Sequence, residues 1–242
     1  VSYNPIKPKF LERVSMKITL DKILPYIDWS IFLATLKVKK TQEESKILKE
    51  AYSILDYWLL KEIHVKAVYK IYSTTKNSDT LDIDNRKIPL IRNQGDTNES
   101  LSDYIEANDY VGAFVASIKP LNEENIFEQL LANTIIEGAS SYLQEYISKN
   151  NWNINIRPAI GYPCLPDHSI KKDIFEILNG EETDASLSSN FAMTPSSTIC
   201  GIYIGNPKSE YVTPKIILDD QIKDISKIKD IDLNLIKKYM GL

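Results

Sequence analysis

Cysteine, histidine and glycine are all scarce in this chain: of 242 residues, two are cysteine and eight are glycine, and the histidines number only two. Cys164 and Cys200 form neither a CxxC pair nor a disulfide framework, which fits a reducing, cytoplasmic setting. His64 and His168 have too few companions for a zinc site, so no metal is expected. The glycines never fall into GxGxxG or GxxxxGK, and the dinucleotide fingerprint and phosphate loop are therefore missing. GxSxG and HExxH are missing too, and the common hydrolase arrangements go with them. No apolar run approaches the roughly 20 residues that span a bilayer, and no charged-then-apolar segment opens the chain, so no membrane association is expected. The formal net charge is -4, with lysine and arginine spread along the chain rather than gathered in a stripe, which leaves no footprint for a nucleic-acid partner. The chain opens on Val1 rather than methionine and is expected to be trimmed or excised.

What is present reads as a globular protein. A hydrophobic fraction of 43% and a charged fraction of 26% suit a folded chain with an ordinary core, and we expect one domain over residues 1–242. In "TQEESKILKEAYSILDYWLLKEIH" the residues Ile47, Leu48, Ala51, Ile54, Leu55, Trp58 and Leu59 recur at helical spacing, with Thr41 and Glu44 placed as a capping box. A shorter helix in "LDKILPYID" precedes it. "VKAVYKIYS" alternates as a strand, "TTKNSDT" is a polar turn, and "LDI" returns as the hairpin partner. "DYVGAFVASI" is a continuous apolar run of strand length, which predicts a buried central strand with a close backbone approach at Gly112. The longest helix is expected from about Glu123 to Lys149, with Ile126, Leu131, Ile135, Gly138 and Leu143 among its inner residues. "IKKDIFEIL" and "DLNLIKKYM" read as helices, "STICGIYIG" as a strand and "YVTPKII" as an edge strand broken by Pro214. Intermixed elements without regular alternation argue for α+β.

One stretch is unusually stiff. "IRPAIGYPCLPDHS", Ile156 to Ser169, carries three prolines, each of which holds the residue before it (Arg157, Tyr162, Leu165) away from helix. Gly161 is the only free joint. The reading is a rigid loop that aims an arginine and a tyrosine, against the plainer reading of a proline-rich connector.

The ordered blocks "YIDWSIF", "IPLIRNQ", "LSDYIEANDYVGAF", "LLANTIIEGASSYLQ", "RPAIGYPCLPDHS" and "SNFAMTPSSTICGIYIGNPKSEYV" resemble the activation, or reactivation, domain of cobalamin-dependent methionine synthase, from about residue 10 to the C-terminus. The resemblance implies a helmet-shaped α+β fold with a central twisted antiparallel sheet flanked by helices. It implies an S-adenosyl-L-methionine site along the stiff loop, with Asp28 at the ligand's amino group, Arg157 at its carboxylate, Ala159 as a backbone contact, and Tyr162 and Tyr211 beside it. These types suit the ligand: an aspartate for an ammonium, an arginine fork for a carboxylate, and tyrosine faces for a sulfonium. Taken one by one, Asp28 could instead be an N-cap, Arg157 a surface ion pair and the two tyrosines half-buried packing.

The function so implied is positioning of the methyl donor for reductive methylation of cob(II)alamin to methylcobalamin, with no catalytic acid or base asked of the chain. Cobalamin would be carried by a partner domain or subunit of methionine synthase, since the DxHxxG signature is missing. An electron donor such as a flavodoxin or a reductase is the other expected partner. The chain is not expected to turn over homocysteine alone. Two other readings stay open: a docking module that has kept the fold without the ligand, and a reactivation partner of another corrinoid protein. Against the family pattern, Val212 replaces a second tyrosine and Cys164 lies one place early. Gln144 stands where a histidine is usual, Glu137 matches a family glutamate that could make only a local ion pair, and His168 reads as an exposed residue near a helix cap.

Overall fold

The computed structural model describes residues 2–38 and 41–242. The Thr41 half of the expected capping box has its side chain outside the described residues.

The centre of the fold is the apolar run. β5 (Asn108–Ser117) lies between β2 (His64–Asn77) and β8 (Thr198–Ile204), antiparallel to both. Successive side chains of a strand point to opposite faces. Phe114 and Ala116 enter one core, Val111, Ala113 and Val115 the other, so the run is apolar without alternation because both faces are covered. At Gly112 the space a Cβ would occupy is filled by the side chains of Ile71 and Tyr203, its neighbours in the same cross-strand row. The close approach is therefore made by side chains and not by backbone.

β1 (Val14–Thr19) pairs with the first half of β2, while β3 (Thr80–Ile83) pairs with its end and β4 (Arg86–Pro89) follows β3, completing a six-stranded sheet. The strand runs through "TTKN", so the hairpin turn contracts to Ser78 and Asp79, with Ser78 at φ +54. A separate pair, β6 (Ser186–Leu187) and β7 (Met193–Thr194), follows the fifth helix. Helices cover both faces. On one lie α1 (Leu20–Ile23), α2 (Trp29–Thr35), α3 (Thr41–Leu60) and the long α4 (Ile126–Asn150), around a core that includes Phe32, Trp58, Tyr69, Leu143 and Tyr203. On the other, α5 (Ile170–Leu178) packs Ile170, Ile174 and Leu178 against Val68, Val111 and Ile202. A third cluster joins α6 (Asp219–Lys229) and α7 (Leu233–Met240) to Ile91.

Several expectations change. α4 starts at Ile126 behind the N-cap Asn125, whose side chain accepts from Phe127 N and Glu128 N, and Ile126 itself is 72% exposed. Leu59 is likewise at the solvent side of α3. "YVTPKII" is not a strand: Pro214 cannot donate, and the N–H groups of Lys215 and Ile216 bond to the Asn93 side chain at 3.0 Å instead of to a ladder.

Arg92, in the block "IPLIRNQ", belongs to the frame. It pairs with Asp79 at 2.5 Å and Asp103 at 2.7 Å and bonds the Asn98 carbonyl, tying the β2–β3 turn to the chain before β5. No helix among the described residues is long and apolar enough to cross a membrane.

Candidate functional site

The stiff loop is bound along the free edge of β8. Asn155 and Ile156 donate to Ile204 O at 2.9 and 3.2 Å, and Ile204 donates back to Ile156 O at 3.1 Å. Ile202 donates to Pro158 O at 3.0 Å and Ile160 to Cys200 O at 2.9 Å. Pro158 accepts but cannot donate, so its pair with Ile202 carries one of the two bonds usual at such a position. Ala159 opposes Gly201 between those last two bonds, as a non-hydrogen-bonded pair, which turns its own amide away from β8. A Cβ on Gly201 would lie 2.2 Å from Pro158 O and 2.9 Å from Ala159 Cα, so only glycine lets the loop come this close. Past Ala159, Gly161 takes φ +93 and rests against the His168 ring.

Alternation along this added segment aims its side chains. Ile156 and Ile160 enter the α5-side core, and Ala159 the α4-side one. Arg157 consequently faces α4, where its Nη1 donates to Gln144 Oε1 at 2.8 Å and its Nη2 reaches Ser141 Oγ at 3.5 Å. Its backbone N–H donates to the Tyr211 hydroxyl at 3.1 Å. One helical stretch earlier, Glu137 accepts from the Tyr162 hydroxyl. Burial first, and then this bond, holds the Tyr162 phenol well above its usual range. Arg157 makes no ion pair among the described residues, unlike Arg92 with its two carboxylates.

Asp28 arrives from the opposite wall. It is the N-cap of α2, with Oδ1 accepting from Ser30 N at 3.0 Å and Ile31 N at 3.2 Å. The chain just before it crosses α4 at Gly138, where a Cβ would meet Tyr26 O at 3.2 Å. Asp28 lines a hollow of about 790 Å³ with Tyr26, Asn133, Glu137 and Tyr162. Arg157, Ala159 and Tyr211 line an adjoining one of about 310 Å³, which shares Glu137, Tyr162 and Ile199 with the first. All five expected site residues thus border one cleft, with the Tyr162–Glu137 contact standing between its two parts. Tyr162 and Tyr211 are 47% and 57% exposed, more open than packing residues would be. A further hollow of about 510 Å³, between β3 and α6, is lined by Asp79, Arg92 and Asp220, where the arginine is already matched.

Sequence reasoning missed the roles of Glu137 and Gln144. Among the described residues Glu137 makes no ion pair but takes the Tyr162 hydroxyl, which is therefore not left to water, and Gln144 accepts from Arg157. Val212 is buried in the α5-side core, away from the cleft, so its departure from tyrosine leaves the lining in place. Cys164 borders the smaller hollow half-buried, and burial raises its thiol above the usual range. Among the described residues no group of three or more His, Cys, Asp or Glu side chains could hold a metal.

His168 is half-buried rather than exposed. Its Nδ1 lies 2.8 Å from the Nζ of Lys171, itself only 4% exposed and also bonded to Phe191 O at 3.2 Å. Burial lowers the pKa of both groups, and the neighbouring Lys171 lowers that of His168 further. A base with a lowered folded-state pKa binds fewer protons folded than unfolded, so stability falls as pH falls below the unfolded value, about 6.5 for histidine. We expect the parent to lose more melting temperature than His168→Gln between pH 7.5 and 5.5. Equal losses in the two melting curves would assign the acid sensitivity elsewhere.

The antiparallel sheet, the helical cover and this polar cleft define an α+β domain with a ligand-sized cleft beside its edge strand. The chain belongs to the family described as vitamin B12 dependent methionine synthase, activation domain, which it matches over residues 19–230. In three dimensions it is similar to the crystal structure of the MetH reactivation domain bound to AdoHcy, with a TM-score of 0.89 at 22% identity, over 99% of this chain and 92% of that one.

Proposed function

We propose that the cleft between α4 and the loop at Arg157 binds S-adenosyl-L-methionine and presents its methyl group to a cobalamin carried by a partner domain or subunit of methionine synthase. The observation that carries this reading is the Arg157 guanidinium, lodged in the cleft on neutral partners and without an ion pair among the described residues. Its planar fork suits the ligand's carboxylate. Asp28 caps α2 through Oδ1, which leaves its other oxygen for the ligand's ammonium. The amide of Ala159, turned from β8, can meet a polar edge of the ligand, and the rings of Tyr162 and Tyr211 flank it. A tyrosine face against the sulfonium contributes about 0.5–2 kcal/mol. The similar structure bound to AdoHcy, the demethylated form of this ligand, supports the assignment.

A cobalamin held by the partner would supply, once reduced, the nucleophile that takes the methyl group, with S-adenosylhomocysteine as the leaving group. The electron comes from a flavodoxin-like or reductase partner. No proton moves, so the chain's residues need only bind and orient the donor and keep it facing outward, and orientation alone can account for several kcal/mol of barrier. An open cleft leaves much of the ligand wet, and affinity follows burial. We therefore expect weak but measurable binding of S-adenosylmethionine by titration calorimetry. A flat trace at about 1 mM ligand, meaning binding weaker than about 4 kcal/mol, would count against this function.

A further inference from the structure

Two arginines of this fold are treated in opposite ways. Arg92 meets two carboxylates and its charge is cancelled. Among the described residues the Arg157 guanidinium meets only the amide oxygen of Gln144 at 2.8 Å and, at the limit of bonding, the hydroxyl of Ser141 at 3.5 Å. Both partners are uncharged. A guanidinium has five N–H donors, and these contacts use two, so three have no protein partner among the described residues. The amide of Gln144 is itself oriented: its Nε2 faces Ile154 O at 3.5 Å and Asn155 O at 3.4 Å, which turns Oε1 toward the arginine. Those carbonyls belong to the same segment that carries Arg157. On the α4 wall Glu137, which lines the same hollow, accepts from the Tyr162 hydroxyl and makes no ion pair with Arg157.

We infer that Gln144 is a positioning residue that aims Arg157 through a neutral oxygen without spending its charge, and thereby sets the preference of the cleft for adenosine ligands that carry a carboxylate. A glutamate at the same place would hold the guanidinium equally well in space but would compete for the charge the ligand needs. The inference rests on the S-adenosylmethionine reading above and adds the source of its selectivity.

The test compares the parent with Gln144→Glu and Gln144→Met by titration with S-adenosylmethionine and with 5′-methylthioadenosine, which keeps the adenosine and lacks the amino-acid portion. The expected result is about a tenfold or greater loss of S-adenosylmethionine affinity in Gln144→Glu, the size of one charge-assisted bond, and a smaller loss in Gln144→Met. Methylthioadenosine affinity stays within about twofold of the parent, a change below 0.5 kcal/mol on the usual scale. A purely structural role for Gln144 would weaken both compounds together in both variants, and that result overturns the inference. Parent-like S-adenosylmethionine binding by folded Gln144→Glu overturns it as well, while leaving the proposed function standing. A parent that binds neither compound removes the proposed function and this inference with it. Should Gln144→Glu fail to fold, Gln144→Met decides alone: it must lose S-adenosylmethionine affinity while keeping that for methylthioadenosine.

Discussion

Gly201→Ala is expected to cost about 3 kcal/mol of stability, the upper end of what overpacking usually does. The added methyl would lie 2.2 Å from Pro158 O and 3.0 Å from Phe114 Cε1. Neither neighbour is the loose end of a flexible side chain: one is backbone in register with β8, and the other is a ring stacked on Tyr203 at 4.6 Å. Relief requires the segment from Asn155 to Ile160 to lift from the strand, which breaks the bonds at Ile202 and Ile160 first. For a chain of this length 3 kcal/mol corresponds to a fall of about 6–12 °C in melting temperature. Ligand binding should fall too, because Arg157 and Ala159 ride on the displaced segment. A melting temperature within about 2 °C of the parent would show that the loop gives way more easily than its bonding implies.

Arg157→Ala is expected to weaken S-adenosylmethionine binding by roughly 1.5–3 kcal/mol, about 10- to 150-fold, the value of a hydrogen bond to a charged group. Folding should be little changed, since the lost partners, Gln144 and Ser141, are neutral and in reach of water. Arg157→Lys should recover only part of the affinity, because a point charge cannot make two parallel bonds to a carboxylate. Calorimetry on the folded variants decides the matter: parent-like binding by Arg157→Ala would remove this residue from the ligand site.

Much of this architecture could be read from the residues. The run around Gly112 announces its strand because burial on both faces removes alternation, and the prolines after Arg157 exclude helix by local sterics alone. The resemblance groups Asp28, Arg157, Ala159, Tyr162 and Tyr211 as one expected site, and the fold sets Asp28 and Tyr162 on one hollow and Arg157, Ala159, Tyr162 and Tyr211 on the adjoining one. α6 escaped notice because "DDQIKDISKIK" buries only Ile222 and Ile225, and what holds it is α7 and Ile91, contacts that no local pattern records. "YVTPKII" looked like a strand by composition, yet Asn93 takes up the N–H groups a ladder would need. The pairings Tyr162–Glu137 and Arg157–Gln144 depend on how a helix lies over a sheet edge, and spacing along the chain says nothing of that.

The union of the loop with β8 also bears on how these molecules behave in company. A bare terminal strand is a template for another chain, and a long apolar one invites filaments. β8, buried along its whole length, would be such a template if its outer side stood open. Here that side is occupied by the chain's own segment from Asn155 to Ile160, and in the segment's outward row the Arg157 N–H is already taken by the Tyr211 hydroxyl at 3.1 Å. The residues that shape the cleft are therefore also the guard against self-association, and a lineage that let the loop drift would meet insolubility as well as lost binding.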